Sequence, residues 1–179
     1  MDMSELEKKA YDLGYEYEGR YGNCAQCTIA AVQDVLGIRD DAVFKSASTL
    51  AAGIAKCCDG PCGGYTGAAM MIGSLWGRTR DNFGGDIENK AKSDRLALEL
   101  HGAFVEEFGT VICREIHQRI YGRTFDLHDK DDRLAVDAAG AHTTKCTSVV
   151  ARASAMAVRI IQGESDRDSS SDLKHPQGH

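Results

Sequence analysis

Residues 23–37 read NCAQCTIAAVQDVLG, and this stretch decides the fold class. Asn23 belongs to the small set of side chains that accept a hydrogen bond from the free N–H groups of a helix start. Ile29, Val32 and Leu36 then recur at the three-to-four-residue spacing of one buried helical face. Gly37 stands where a helix ends, because only a residue without Cβ turns left-handed there at no cost. A cap, a stripe and a stop make a complete helix, and it carries Cys24 and Cys27.

The same grammar repeats outward from that segment. Leu6, Ala10, Leu13 and Tyr17 form a stripe before it. After it, Asp40 and Asp41 can cap a third helix carrying Val43, Ala47, Leu50 and Ile54. A glycine-rich break, CCDGPCGGYTG at 57–67, leads to a helix with Met71, Ile72 and Leu75 that stops at Gly77. Residues 78–86 read as loop. Leu96, Leu100, Ala103, Phe104 and Phe108 mark a long helix closed by Gly109, and Ile112, Ile116 and Ile120 a shorter one. Val149, Val150, Ala153, Met156, Ala157, Ile160 and Ile161 give the last, closed by Gly163. No strand alternation and no repeat interrupts this. The expectation is an all-α, single-domain bundle of six to seven helices over residues 1–163, followed by a disordered polar tail over 164–179 with only Leu173 as a core-type residue. The pairs Ala30-Ala31, Ala51-Ala52 and Ala68-Ala69 suit close helix packing.

The chain has 179 residues, a net charge of −6 and 42% hydrophobic residues. That length buries enough surface for a core without disulfide staples. An acidic balance argues against nucleic acid, which calls for a basic face. No apolar run reaches the ~20 residues of a membrane span, and the charged opening MDMSELEKK is unlike a secretory signal. The expected compartment is the cytoplasm, where structural disulfides are rare.

Seven cysteines in such a chain therefore point to metal or redox chemistry. Cys24 follows its Asn23 cap; Cys62 follows Gly60-Pro61; Cys113 follows Thr110, and Cys146 follows Thr143-Thr144. Each is expected near a helix start. A helix terminus is worth about 0.3–1 kcal/mol to a charge, less than one pKa unit, so dipoles bias these sulfurs without ionising them. A metal would ionise them outright. If the four converge, a metal centre is expected; if they do not, a dithiol. Cys27, three residues after Cys24, and the glycine-flanked Cys57, Cys58 are further ligand or thiol candidates. Glycines near Cys62, and Thr66, are placed to donate hydrogen bonds to sulfur. Two pairs, Cys113 with His117 and His142 with Cys146, stand four apart and would share helical faces, which makes both histidines supporting metal ligands. Familiar spacings are excluded. Cys24-Ala-Gln-Cys27 is followed by Thr28, so there is no c-type haem site. The C-x-x-C lies in no βαβ unit, and the ferredoxin run of cysteines is absent. Glu106-Glu107 and Asp131-Asp132 read as solvated faces and caps.

These residues resemble the C_GCAxxG_C_C family, four-cysteine proteins to which a redox role is ascribed. Cys24 stands at its first cysteine, Cys62-Gly-Gly-Tyr-Thr-Gly67 at its central element, and Cys113 and Cys146 at its third and fourth, with Gly64 where the family has alanine. The set spans roughly residues 11–161. The resemblance extends more distantly to the cysteine domain of split-Soret cytochromes, and it implies a helical fold, a homodimer and an iron–sulfur or redox role. The favoured reading is a cytoplasmic protein that binds an iron–sulfur cluster through Cys24, Cys62, Cys113 and Cys146, for electron transfer or small-molecule reduction. Its partner would be a redox protein or a small-molecule electron acceptor. Two alternatives stay open. One is a metal-free thiol–disulfide oxidoreductase attacking through Cys24 or Cys62 and resolving through Cys27 or Cys58. The other is a zinc-binding module.

Overall fold

The computed structural model describes residues 3–172. It is all-α, with eight α-helices and no strand among the described residues: α1 (Glu5–Tyr21), α2 (Cys24–Leu36), α3 (Asp41–Ser46), α4 (Gly63–Trp76), α5 (Ile87–Phe108), α6 (Cys113–Tyr121), α7 (Lys130–Ala138) and α8 (Cys146–Asp172). A short 3-10 turn (Ala47–Thr49) follows α3, and a π turn (Ala141–Lys145) runs into α8.

α8 is the axis. It lies along α1 and also touches α2, α4 and α5. Close approach to α1 is made where Gly14 faces α8: a Cβ there would sit 2.6 Å from Ser154 Oγ and 3.2 Å from Ala151 Cα. The main core joins Ile29 and Val32 of α2, Met71 and Ile72 of α4, Leu96 and Leu100 of α5, and Val158 and Ile161 of α8. A second cluster, Phe104, Ile116, Val149 and Ala153, closes around Cys62.

Three expectations change. The third helix is short: it ends at Ser46, and after the 3-10 turn the chain turns left-handed, with Ala52, Gly53, Ile54, Ala55 and Lys56 all at φ between 50° and 71°. Leu50 and Ile54 therefore share no helical face with Val43. The helix α7, capped by Asp129 on the Asp131 and Asp132 N–H groups, was missed because Val136 is its only buried residue and no stripe announces it. Finally, α8 does not stop at Gly163 but continues to Asp172, so residues 164–172 are helical rather than a disordered tail; 173–179 lie outside the described residues. The cause is Glu164, 3% exposed, which takes Arg95 at 2.6 Å and Arg167 at 3.0 Å. Lys92 adds Asp168 at 2.7 Å. The Arg95 and Lys92 pairs tie the end of α8 to α5.

A glycine inside a helix costs about 1 kcal/mol relative to alanine, and a Cβ at 163 meets nothing within 4 Å. Gly163→Ala is expected to stabilise the protein by about that amount in urea denaturation. A loss of stability would instead mean that the helix ends at this position.

Candidate metal centre

Backbone pairing gathers the sulfurs. Cys62 N–H donates to Val111 O (2.7 Å), Cys113 N–H to Gly60 O (3.0 Å) and Arg114 N–H to Cys58 O (2.7 Å), and Pro61 bridges Ile112 in antiparallel sense. This short ladder sets Cys58, at the end of the left-handed turn, and Cys62, at the N-cap of α4, beside Cys113, the first residue of α6. Cys24, the first residue of α2 behind its Asn23 cap, reaches the same place because α4 passes α2 closely at Gly63 and Gly67. A Cβ on Gly63 would collide with Cys24 Sγ and lie 2.9 Å from Ala25 N; on Gly67 it would lie 2.5 Å from Ala25 O. Cys146 opens α8, but the π turn precedes it and its N–H is already bonded to Ala141 O. It therefore has no free helix start behind it.

The side chains form two thiol pairs and a histidine corner. Cys62 donates to Cys24, which is the main reason that Cys24 is lowered to about 7; the Ala52 N–H, 3.4 Å from its sulfur, helps. Cys62 is correspondingly held protonated, well above the ordinary thiol range. Cys113 stands in the same relation to Cys58: its thiol lowers Cys58, and Cys113 itself is pushed up, first by that bond and then by burial. His117, one turn along α6, puts Nε2 3.8 Å from Cys113 Sγ and 4.0 Å from Cys146 Sγ. Burial lowers its pKa, so it is neutral, and Nδ1 has no partner. Burial raises Cys146 to about 12 even though the Tyr121 hydroxyl lies 3.2 Å away.

Cys58, Cys113 and His117 form a group able to hold a metal ion: their donor atoms lie within 4.8 Å of one another, all buried. Cys24, Cys62, Cys113, His117 and Cys146 line a cavity of about 580 Å³. The other candidates go elsewhere. Cys27 donates to Gly22 O (2.7 Å) and lies against Glu18. Cys57 is exposed, 3.8 Å from His128 Nε2. His142 does not stack on Cys146, because the π turn spaces its bonds five residues apart; it lies 3.8 Å from Glu18 and 3.5 Å from Asp137. Thr66 donates to Gly63 O rather than to sulfur, and Thr110 accepts from Ile112 N–H without capping Cys113's helix. Sequence reasoning missed Tyr121 and Glu18, for which no spacing gave a signal.

Fold and site together define a helical thiol protein with a buried cysteine–histidine cluster beside a small-molecule-sized cavity. The family model described as "Putative redox-active protein (C_GCAxxG_C_C)" matches residues 22–160, and the chain belongs to this family. No curated protein and no solved structure matches it.

Two outcomes are expected here. Gly63→Ala should cost about 1–3 kcal/mol by forcing Cys24 and the α2 backbone away. Gly64→Ala, where a Cβ lies 3.2 Å from Ala153 Cβ, should stay within about 1 kcal/mol of wild type. Urea midpoints of the metal-free proteins separate the two. Burial also raises Glu18 from 4.5 to about 8, with the Cys24 charge adding to it. A folded state that keeps a proton the unfolded chain has lost becomes less stable as pH rises through that window. Metal-free Glu18→Gln should thus gain on wild type by up to about 4 kcal/mol between pH 4.5 and 8; a constant difference between the two proteins across that range would count against it.

Proposed function

We propose that this is a cytoplasmic redox protein that holds an iron–sulfur cluster with Cys24, Cys58, Cys62, Cys113 and Cys146, assisted by His117, and serves electron transfer or the reduction of a small molecule in the adjoining cavity. The observation that carries the reading is the number of donors. Four sulfurs and one imidazole, from Cys24, Cys62, Cys113, Cys146 and His117, line one cavity, and Cys58 joins Cys113 and His117 in a buried group beside it, whereas a single zinc ion takes four ligands. A bound cluster supplies one-electron transfer at a potential set by burial and by hydrogen bonds to sulfur. Such bonds come from this chain: the Ala52, Gly63 and Ala25 N–H groups to Cys24, the Gly64 N–H to Cys62, and a contact of 3.2 Å between the Tyr121 hydroxyl and Cys146. A redox partner protein or a small-molecule acceptor completes the electron path. No helix among the described residues is long and apolar enough to cross a membrane.

A second reading draws on the Cys24–Cys62 pair. A thiol lowered to about 7 with a protonated partner in contact is poised for thiol–disulfide exchange, which is fastest for a thiol with pKa near ambient pH. The resolving partner of Cys24 would then be Cys62, not Cys27, and Cys58–Cys113 would form the second couple.

Oxygen-free purification separates the readings. Brown protein with iron and sulfide in equal amounts is expected, retained by Cys27→Ser, Cys57→Ser and His142→Ala, and lowered more than about twofold by Cys62→Ser, Cys113→Ser or His117→Ala. Colourless protein with one zinc would replace the cluster with a zinc module. Metal-free protein with one thiol alkylated fast near pH 7, lost in Cys24→Ser, would favour exchange.

A further inference from the structure

Lys56 and Arg133 line the cavity, and neither forms an ion pair among the described residues. The two carboxyl groups that line it, Glu18 and Asp137, lie instead against His142, at 3.8 and 3.5 Å. Both cations are exposed, so their charge stands at the rim rather than in the depth. Arg133 is also held ready. Its Nη1 donates to Leu127 O at 3.2 Å and to His128 O at 2.8 Å, one hydrogen for each carbonyl. That leaves Nε–H and the Nη2 hydrogens, the edge on which a guanidinium grips a carboxylate with two parallel bonds. Asp129, the N-cap of α7, feels the Arg133 charge, but its Oδ1 is taken by the Asp131 and Asp132 N–H groups. Further in, the wall is apolar and runs to the sulfurs. Ile116 of α6 and Val149 and Val150 of α8 are buried and line the same cavity as Cys113 and Cys146.

We propose that the cavity binds a small organic carboxylate, gripped at the rim by the Nε/Nη2 edge of Arg133 with Lys56 as second cation, its hydrocarbon body against Ile116, Val149 and Val150. This rests on the reading that a small molecule is reduced in the cavity, and it names the class of that molecule. A carboxylate bound in this way turns its far end toward the thiols. An arginine already fixed by two carbonyls also gives up less side-chain freedom on binding than a loose one.

The sign of the preference identifies the groups responsible. A chain of net charge −6 repels anions at long range. An apolar wall alone would favour an uncharged amide over the matching carboxylate, because a carboxylate taken out of water without a partner is costly. A cavity that prefers the carboxylate therefore owes it to cations at the site, and Arg133 and Lys56 are the ones that line it. Inorganic phosphate offers the same grip to a guanidinium but has no body to place against the apolar wall.

The test is calorimetric titration of the full chain, purified without oxygen and with its iron content recorded. The probes are butyrate, hexanoate, octanoate and phenylacetate, each paired with its primary amide, and inorganic phosphate. At least one carboxylate should bind about tenfold or more tightly than its amide, and affinity should rise from butyrate to octanoate as more hydrocarbon is buried. Arg133→Gln should remove the preference for the carboxylate. Arg133→Lys, which keeps the charge without the two-bond edge, should restore part of it. Lys130→Gln, on α7 but outside the cavity, should leave binding unchanged. The proposal is overturned if no carboxylate outbinds its amide, or if Lys130→Gln weakens binding as much as Arg133→Gln. Phosphate binding as tightly as the best carboxylate overturns the organic body. The wild-type comparison needs no variant, so a misfolded Arg133→Gln still leaves a decision. Iron-free protein would end the cluster reading and leave this one to the same titration; iron-loaded protein that ignores carboxylates would end this one alone.

Discussion

Three backbone hydrogen bonds between residues 58–62 and 111–114 are what the site depends on. They join two loops separated in the chain by α4 and α5, and they carry no side-chain chemistry of their own. Each is worth about 1 kcal/mol net, but together they fix where α4 and α6 begin, and a cysteine caps the one and opens the other. Without that ladder Cys58 and Cys62 would face one loop and Cys113 another. With it, His117 follows one turn along α6 and meets Cys146 coming from α8.

Helix ends contribute less than their number suggests. Cys24 and Cys113 are first residues of helices, Cys62 is a cap, and Cys146 has a π turn behind it. The sulfurs are instead controlled by one another. Each thiol pair holds one proton more tightly and the other less tightly than a free thiol, because a buried thiolate is stabilised by a neighbouring S–H. The left-handed turn from Ala52 to Lys56 is part of the same design. Left-handed geometry costs about 1–2 kcal/mol for each residue other than glycine, and here it aims the Ala52 N–H at Cys24. Strain of this kind persists where the surroundings over-determine it, as at functional sites.

Much of the helical plan was legible because the signals were local. Asn23, Gly37, Gly77 and Gly109 punctuate α2, α4 and α5 at the expected residues. Ala51 to Lys56 misled, since a pair of alanines and an isoleucine continue a helical stripe on paper. The turn closure from Cys58 N–H to Ala52 O and a contact far away in sequence, Ala52 N–H to Cys24 Sγ, override that local preference. Gly163 misled in the opposite direction, because the ion pairs that carry α8 past it lie on α5. His142 and Cys146 show a third kind of failure: spacing of four means a shared face only in an α-helix, and a π turn cannot be read from residue spacing.

From sequence alone came the all-α class, the cysteine-bearing helix starts and the four sulfurs at positions 24, 62, 113 and 146, since caps, stripes and stops act within a few residues of themselves. Tertiary structure alone decided that Cys58 and His117 meet at Cys113, that Cys27, Cys57 and His142 turn elsewhere, and that Glu18 is buried with Oε2 unpartnered. Those outcomes depend on which helix surfaces meet and on which buried groups find partners, and such partners are supplied by distant parts of the chain.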